Sequence, residues 1–166
     1  AIVVGFNDSR ADYSIDLCIH ERFEEVALRN PDRAALVYEQ QVLVYGALNA
    51  RANQLARRLM SLGVGPDMPV ALCVERSLDM ILGILGILKA GGAYVPLDHA
   101  LPPQRLALLI EDSRASVVVC QQHLSDLFSE SRAKVVVLDG DASGSVSQES
   151  RENCASGVTS SNLAYA

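Results

Sequence analysis

The stretch "VALCVERSLDMILGILGILKAGGAYVPLD", Val70 to Asp98, decides how this chain folds. "VALCV" (70–74) is short, apolar and rich in valine, and reads as a strand. The apolar residues from Leu78 to about Ala90 run too long for a strand and read as a buried helix. "AYVPL" (93–97) reads as a second strand. Strands that alternate with helices and show unbroken apolar character belong to a parallel sheet covered on both faces.

Between the helix and the second strand stand Lys89, Gly91 and Gly92, a combination that raises the question of a phosphate loop. Phosphates bind where free backbone N–H groups and the positive dipole end converge, at a helix N-terminus. Here the glycines follow a helix and open a strand, so the loop presents carbonyl oxygens instead. The glycines are expected to turn the chain from helix into strand. Lys89 is expected to complement the helix dipole from the last turn, a contribution of about 0.3–1 kcal/mol. Gly83 and Gly86 each cost a helix about 1 kcal/mol against alanine. Close packing of the helix on the sheet is the expected compensation, and a ligand passing over the backbone is the alternative.

Outward toward the C-terminus the alternation continues: a helix from Pro103 to about Asp112, strand "SVVVC" (116–120), a short helix near 124–130 and strand "KVVVL" (134–138). The expected fold is α/β, a doubly wound, mainly parallel sheet with helices on both faces. Toward the N-terminus, Ile19, Phe23, Val26 and Ala27 trace a helix with Asp16 as possible N-cap, ended by Asn30-Pro31. "AALVYE" and "QVLVY" (34–45) form a hairpin joined through 39–41, and a long helix runs from Leu48 to a stop at Gly63. Residues 1–17 are expected as a linker, 18–139 as the α/β body, 140–162 as a flexible loop and 163–166 as the start of a strand. The loop assignment rests on seven serines in that segment and almost no large apolar side chain.

With 166 residues, 49% hydrophobic and 20% charged, the chain suits one globular domain. Its net charge of -6, without any basic cluster, argues against nucleic acid. The apolar run 80–88 is less than half of the roughly 20 residues that span a bilayer, so no membrane partner is expected. No leader stands at the start, and residue 1 is Ala, so no signal peptide and no native N-terminus are expected. Cys18, Cys73, Cys120 and Cys154 lie far apart without a C-x-x-C pair, which suits free thiols in the cytoplasm; a disulfide framework is the alternative. His20, His99 and His123 are isolated and are expected at the surface or in loops. Glu111 and Asp112 read as a solvated helix end. No Walker loop and no G-x-G-x-x-G is present.

"LKAGGAYVPLD" (Leu88, Lys89, Ala90, Gly91, Gly92, Ala93, Tyr94, Val95, Pro96, Leu97, Asp98) matches at every position the second core signature of nonribosomal peptide synthetase adenylation domains. Upstream, "LVYGALNARANQLARRL" is similar to their first signature, L-(T/S)-Y-x-E-L. It keeps Leu43, Tyr45 and Leu48 and departs at Val44 and Ala47. "DHALPPQR" resembles D-P-x-Y-P-x-x-R, with His99 and Leu101 as departures. Leu163, Ala164 and Tyr165 match the first three positions of the phosphate-loop signature, L-A-Y-x-x-Y-T-S-G-S-T-G-x-P-K-G. The chain therefore resembles the N-terminal part of an adenylation domain in the adenylate-forming, AMP-binding superfamily, which includes acyl-CoA synthetases and luciferases.

The resemblance implies a parent enzyme that uses ATP and magnesium to turn an amino acid into its aminoacyl adenylate. That enzyme would then load the phosphopantetheine thiol of a carrier domain, in secondary-metabolite biosynthesis. "FNDSRADYSIDLCIHERFEE" resembles the linker that follows a condensation domain. The implied partners are thus the rest of the adenylation domain, an upstream condensation domain and a downstream carrier domain. The remainder of the phosphate loop, the amino-acid pocket, the ribose-binding aspartate and the catalytic lysine of the family lie past residue 166. No catalytic, substrate-binding, cofactor-binding or metal residue is accordingly expected here, and the chain is expected to be inactive alone. A non-catalytic α/β docking module and an acyl-CoA synthetase fragment are the alternatives.

Overall fold

The computed structural model describes residues 17–140 and 144–166. The expected linker 1–17, apart from Leu17, and the expected N-cap Asp16 lie outside the described residues.

The first helix, α1 (Ile19–Arg29), has Cys18 at its N-cap position. The Cys18 N–H donates to the Glu21 carboxylate at 2.7 Å, so an acid in the first turn satisfies a backbone donor that the helix leaves orphaned. The hairpin follows as β1 (Ala34–Tyr38) and β2 (Gln41–Val44). Leu36 pairs with Leu43, and both pack on Leu48, Ala52, Leu82 and Leu85, whereas the pair Val37 and Val42 faces outward. The next helix, α2 (Tyr45–Ser61), starts earlier than the expected Leu48. Its first amides already have partners: the Tyr45 N–H donates to the Arg33 carbonyl at 2.9 Å and the Gly46 N–H to the Pro31 carbonyl at 2.8 Å.

The main sheet contains β3 (Pro69–Cys73), β4 (Ala93–Pro96), β5 (Val117–Cys120) and β6 (Lys134–Val137) in the order β4-β3-β5-β6, all parallel. The crossovers are α3 (Leu78–Lys89) and α4 (Pro103–Ser113), and the short helix expected near 124–130 is a 3-10 helix (Gln122–Phe128). The strand period divides the core into two layers. Val70, Leu72, Val117, Val119 and Val136 meet Leu55 and Leu59 of α2 and Ile87 of α3. Ala71, Cys73, Val118 and Cys120 meet Leu106 and Ile110 of α4 and Leu124 and Phe128 of the 3-10 helix. Helices thus cover both faces, which is the doubly wound arrangement.

Of the two glycines within α3, Gly83 faces the sheet and Gly86 does not. A Cβ on Gly83 would stand 2.6 Å from Leu72 Cδ1, whereas one on Gly86 would stand 2.6 Å from Leu55 Cγ, so Gly86 accommodates α2. All four cysteines are free thiols. Cys73 and Cys120 are in register on adjacent strands, and burial pushes their thiols up to about 11 and about 12 respectively. Among the described residues no helix is long and apolar enough to cross a membrane.

Within the segment expected as a flexible loop, 140–162, the backbone between Ser147 and Asn153 is hydrogen-bonded to α2. After the short α5 (Gly144–Ser147) the chain runs as a strap whose carbonyls accept hydrogen bonds from that helix. The Gln54 amide donates to Ser147 O at 2.7 Å and Glu149 O at 3.0 Å, and the Asn53 amide donates to Arg151 O at 2.8 Å. The Arg57 guanidinium donates to Glu152 O and Asn153 O at 3.2 and 3.3 Å. α2 thus grips this part of the serine-rich strap mainly by its backbone.

Candidate functional site

The signature around the glycine pair organises the region of interest. At the end of α3 the Gly91 N–H donates to Leu88 O at 3.1 Å and the Gly92 N–H to Ile87 O at 3.0 Å, with Gly91 at φ 90°. Both glycine amides are consumed by helix carbonyls, a C-terminal cap that leaves neither for an anion. The glycines do turn the chain into β4, as expected. They also create a close approach. A Cβ on Gly91 would lie 3.3 Å from Gly65 C and Pro66 N, and one on Gly92 would lie 2.9 Å from Val64 Cγ1 and 3.2 Å from Met68 O. The turn 65–68 therefore rests directly on the glycine pair, and the Ala93 N–H donates to Met68 O at 2.8 Å.

Asp67 projects from that turn. One carboxylate oxygen accepts the Leu163 N–H and the other the Asn162 side-chain amide, each at 2.8 Å. These bonds, the backbone one first, hold its carboxyl below the usual carboxylate range. The residues that follow lie along the outer edge of β4. The Tyr94 N–H donates to Ala164 O at 3.1 Å, and the Ala166 N–H donates to Tyr94 O at 3.2 Å, forming a parallel bridge between Tyr94 and Tyr165. Their rings stand 5.9 Å apart. The fold thus joins the second signature, 88–98, to Leu163, Ala164 and Tyr165. The first signature lies elsewhere: Leu43 and Leu48 belong to the hairpin core, and the Tyr45 ring stands 5.8 Å from that of Phe23. Asp67 was missed in the sequence. "GPD" marks a turn there, but the partner stands 96 positions away.

Lys89 stands in the last turn of α3, as expected, but it does not face solvent there. Its side chain is fully buried and forms an ion pair with Glu24 of α1, and its carbonyl lies 3.8 Å from the Cys154 thiol. Desolvation pushes the Lys89 ammonium below its ordinary pKa, with Glu24 opposing. His20, one turn before Glu24, is likewise buried instead of lying at the surface. The reason is shared: the face of α1 that packs on the end of α3 carries His20 and Glu24 as well as Ala27.

Burial pushes the His20 imidazole below its ordinary 6.5, with Glu24 and Glu21 opposing. A depressed folded-state pKa means that the unfolded chain binds the proton more readily. Stability is then full above about pH 6.5 and falls as the pH drops through that value. The urea midpoint should therefore fall between pH 7.5 and 5.5, and His20→Gln should reduce that difference; an unchanged difference would count against a neutral buried His20. His99 and His123 are exposed, and His123 Nε2 lies 3.4 Å from a Glu75 carboxylate oxygen.

Open α/β sheets take ligands outside the carboxyl ends of the strands where the strand order reverses. Here that point lies between β3 and β5, and Gln121 fills it. Its side-chain oxygen accepts the Glu75 N–H at 2.9 Å, and its amide donates to Asp79 at 3.0 Å. Arg51 approaches the other Asp79 oxygen at 3.5 Å. These side chains form a hydrogen-bonded polar cluster at that point. Glu111 and Asp112 lie exposed near the end of α4, as expected. Among the described residues no three His, Cys, Asp or Glu groups converge to hold a metal ion. A cleft of about 180 Å³ lies between Leu17, His20, Gly91, Thr159 and Leu163. It is smaller than the roughly 300–1,000 Å³ typical of small-molecule sites.

The family model described as AMP-binding enzyme matches residues 23–164. A linear gramicidin synthase protein of Brevibacillus parabrevis is 47% identical over 164 residues, covering 99% of this chain and 2% of that protein. Tyrocidine synthase 3 of the same organism is 51% identical over 128 residues, covering 77% of this chain and 2% of that protein. Among solved structures, the nonribosomal peptide synthetase FmoA3 in its AMPPNP-bound form superposes with a TM-score of 0.85 at 29% identity. That match covers 99% of this chain and 17% of the other. The chain spans only a small part of the length of the relatives it matches.

Proposed function

Because the chain belongs to the AMP-binding enzyme family, with nonribosomal peptide synthetases as its relatives, we propose that it is the N-terminal framework of an amino-acid-activating adenylation domain. The observation that carries this reading is the junction of the two signatures: β4 of "LKAGGAYVPLD" holds the strand that starts at Leu163. In the whole protein, the amino-acid carboxylate would attack the α-phosphorus of ATP, releasing pyrophosphate and forming the aminoacyl adenylate. Magnesium would assist from residues outside this segment. A phosphopantetheine thiol on a downstream carrier domain would then attack the aminoacyl carbonyl, forming a thioester and releasing AMP, with a condensation domain upstream, in the cytoplasm. This segment contributes a scaffold to that chemistry and no reacting group.

The complete adenylation domain that contains this chain should catalyse ATP-pyrophosphate exchange that depends on one or a few amino acids. The 166 residues by themselves should show none. Robust exchange by the isolated chain would refute its assignment as a framework without a reacting group. Exchange that depends on fatty acids instead would move the parent to the acyl-CoA synthetases.

A further inference from the structure

We infer that Asp67 is the positioning residue that selects the register of the strand beginning at Leu163, and with it the direction from which the following segment approaches the nucleotide. The second half of this inference rests on the adenylation reading above.

The ladder alone specifies that register weakly. Residues 163–166 are joined to β4 by one bridge, Tyr94 to Tyr165, and by the two backbone hydrogen bonds around it. A slip of one residue would turn Tyr165 to the opposite face and away from the Tyr94 ring. The carboxylate of Asp67 acts immediately before the ladder starts, where its two oxygens take donors from the consecutive residues Asn162 and Leu163.

Both ends of this clamp are fixed. Asn162 closes a turn of its own: its side-chain oxygen accepts the Thr159 N–H at 2.8 Å, and its N–H donates to Thr159 O at 3.1 Å. On the other side, the turn 65–68 is seated on Gly91 and Gly92. Asp67 itself sits at φ 61°, in the left-handed region that favours glycine and that aspartate tolerates better than most residues. The backbone there would accept glycine at least as readily, so local conformation alone does not call for a carboxylate. The hydrogen bonds to 162 and 163 do.

Two substitutions in the complete adenylation domain test this. Asp67→Gly suits the backbone but removes the clamp, and Asp67→Asn keeps the side-chain shape but removes the charge. Amide hydrogen exchange of the peptide containing 162–166 should accelerate by about tenfold in Asp67→Gly and by less in Asp67→Asn, with β3 and β5 unchanged. In ATP-pyrophosphate exchange the KM for ATP should rise by about threefold to tenfold, while the KM for the amino acid and the melting temperature hold. Unchanged hydrogen exchange at 162–166 in both variants would overturn the clamp. Accelerated hydrogen exchange with an unmoved KM for ATP would overturn its role in the nucleotide approach. A wild-type domain without ATP-pyrophosphate exchange would remove the adenylation reading, and hydrogen exchange would still decide the clamp.

Discussion

Glu24→Leu should destabilise the protein by about 3–5 kcal/mol, and Lys89→Met by distinctly less, although both break the same ion pair. The asymmetry follows from where the charges lie. Lys89 is fully buried at the end of α3, whereas Glu24 on α1 retains 19% side-chain exposure. Removing Glu24 strands an ammonium with no route to water, while removing Lys89 leaves a carboxylate that can turn outward and rehydrate. In Glu24→Leu the folded-state pKa of Lys89, already lowered by desolvation, should fall further below that of the unfolded chain. The unfolded state then binds the proton more readily, so this variant should gain more stability than the wild type as the pH rises toward 10, about the ordinary lysine value. The double variant Glu24→Leu with Lys89→Met should recover most of the loss, since an apolar pair of similar volume can replace a buried ion pair. Urea unfolding of the four proteins at pH 7 and 9.5 gives the comparison. Equal losses in the two single variants would contradict the burial asymmetry.

Gly86→Ala should destabilise by about 1–3 kcal/mol, even though alanine is the better helix former by about 1 kcal/mol. A methyl group at this position would stand 2.6 Å from Leu55 Cγ and 2.9 Å from Leu55 Cβ. Those atoms belong to the stem of a fully buried side chain on α2, so relief requires the two helices to separate. Gly83→Ala offers the contrast. Its near contact is Leu72 Cδ1 at 2.6 Å, a terminal methyl, with Cδ2 already at 3.6 Å, so a rotamer adjustment can absorb part of the clash. The expected order of melting temperatures is wild type, then Gly83→Ala, then Gly86→Ala. Leu55→Ala should be less damaging in the Gly86→Ala background than in the wild type. Additive losses would mean that Gly86 is not there to admit Leu55.

Much of the sheet and its helices was legible because the relevant signals are local. Valine-rich runs such as 117–119 and the long apolar run of α3 report their own burial, whatever they pack against. Signals that depend on a distant partner were misread. Lys89 read only as a cation at a helix end because its neighbours in sequence do not include Glu24, and His20 read as a surface or loop residue because α1 carries its buried face among charged residues. The segment 140–162 gives no local sign of its hold on α2, because the donors that bond to its backbone between Ser147 and Asn153 belong to that helix.

The amino-acid sequence by itself determined the order of elements, the parallel sheet, the helix-to-strand turn at Gly91 and Gly92, and the family, since periodicity and the signature residues are contained in contiguous stretches. Only the tertiary structure decided that Gly86 admits α2, that Lys89 is an interior cation, that the strap is gripped by Asn53, Gln54 and Arg57, and that Asp67 clamps the strand at Leu163. The physical reason is the same for all four. A hydrogen bond, an ion pair or a close approach depends on two groups meeting in space, and the geometry that makes these groups meet exists only once the sheet and its helices have packed.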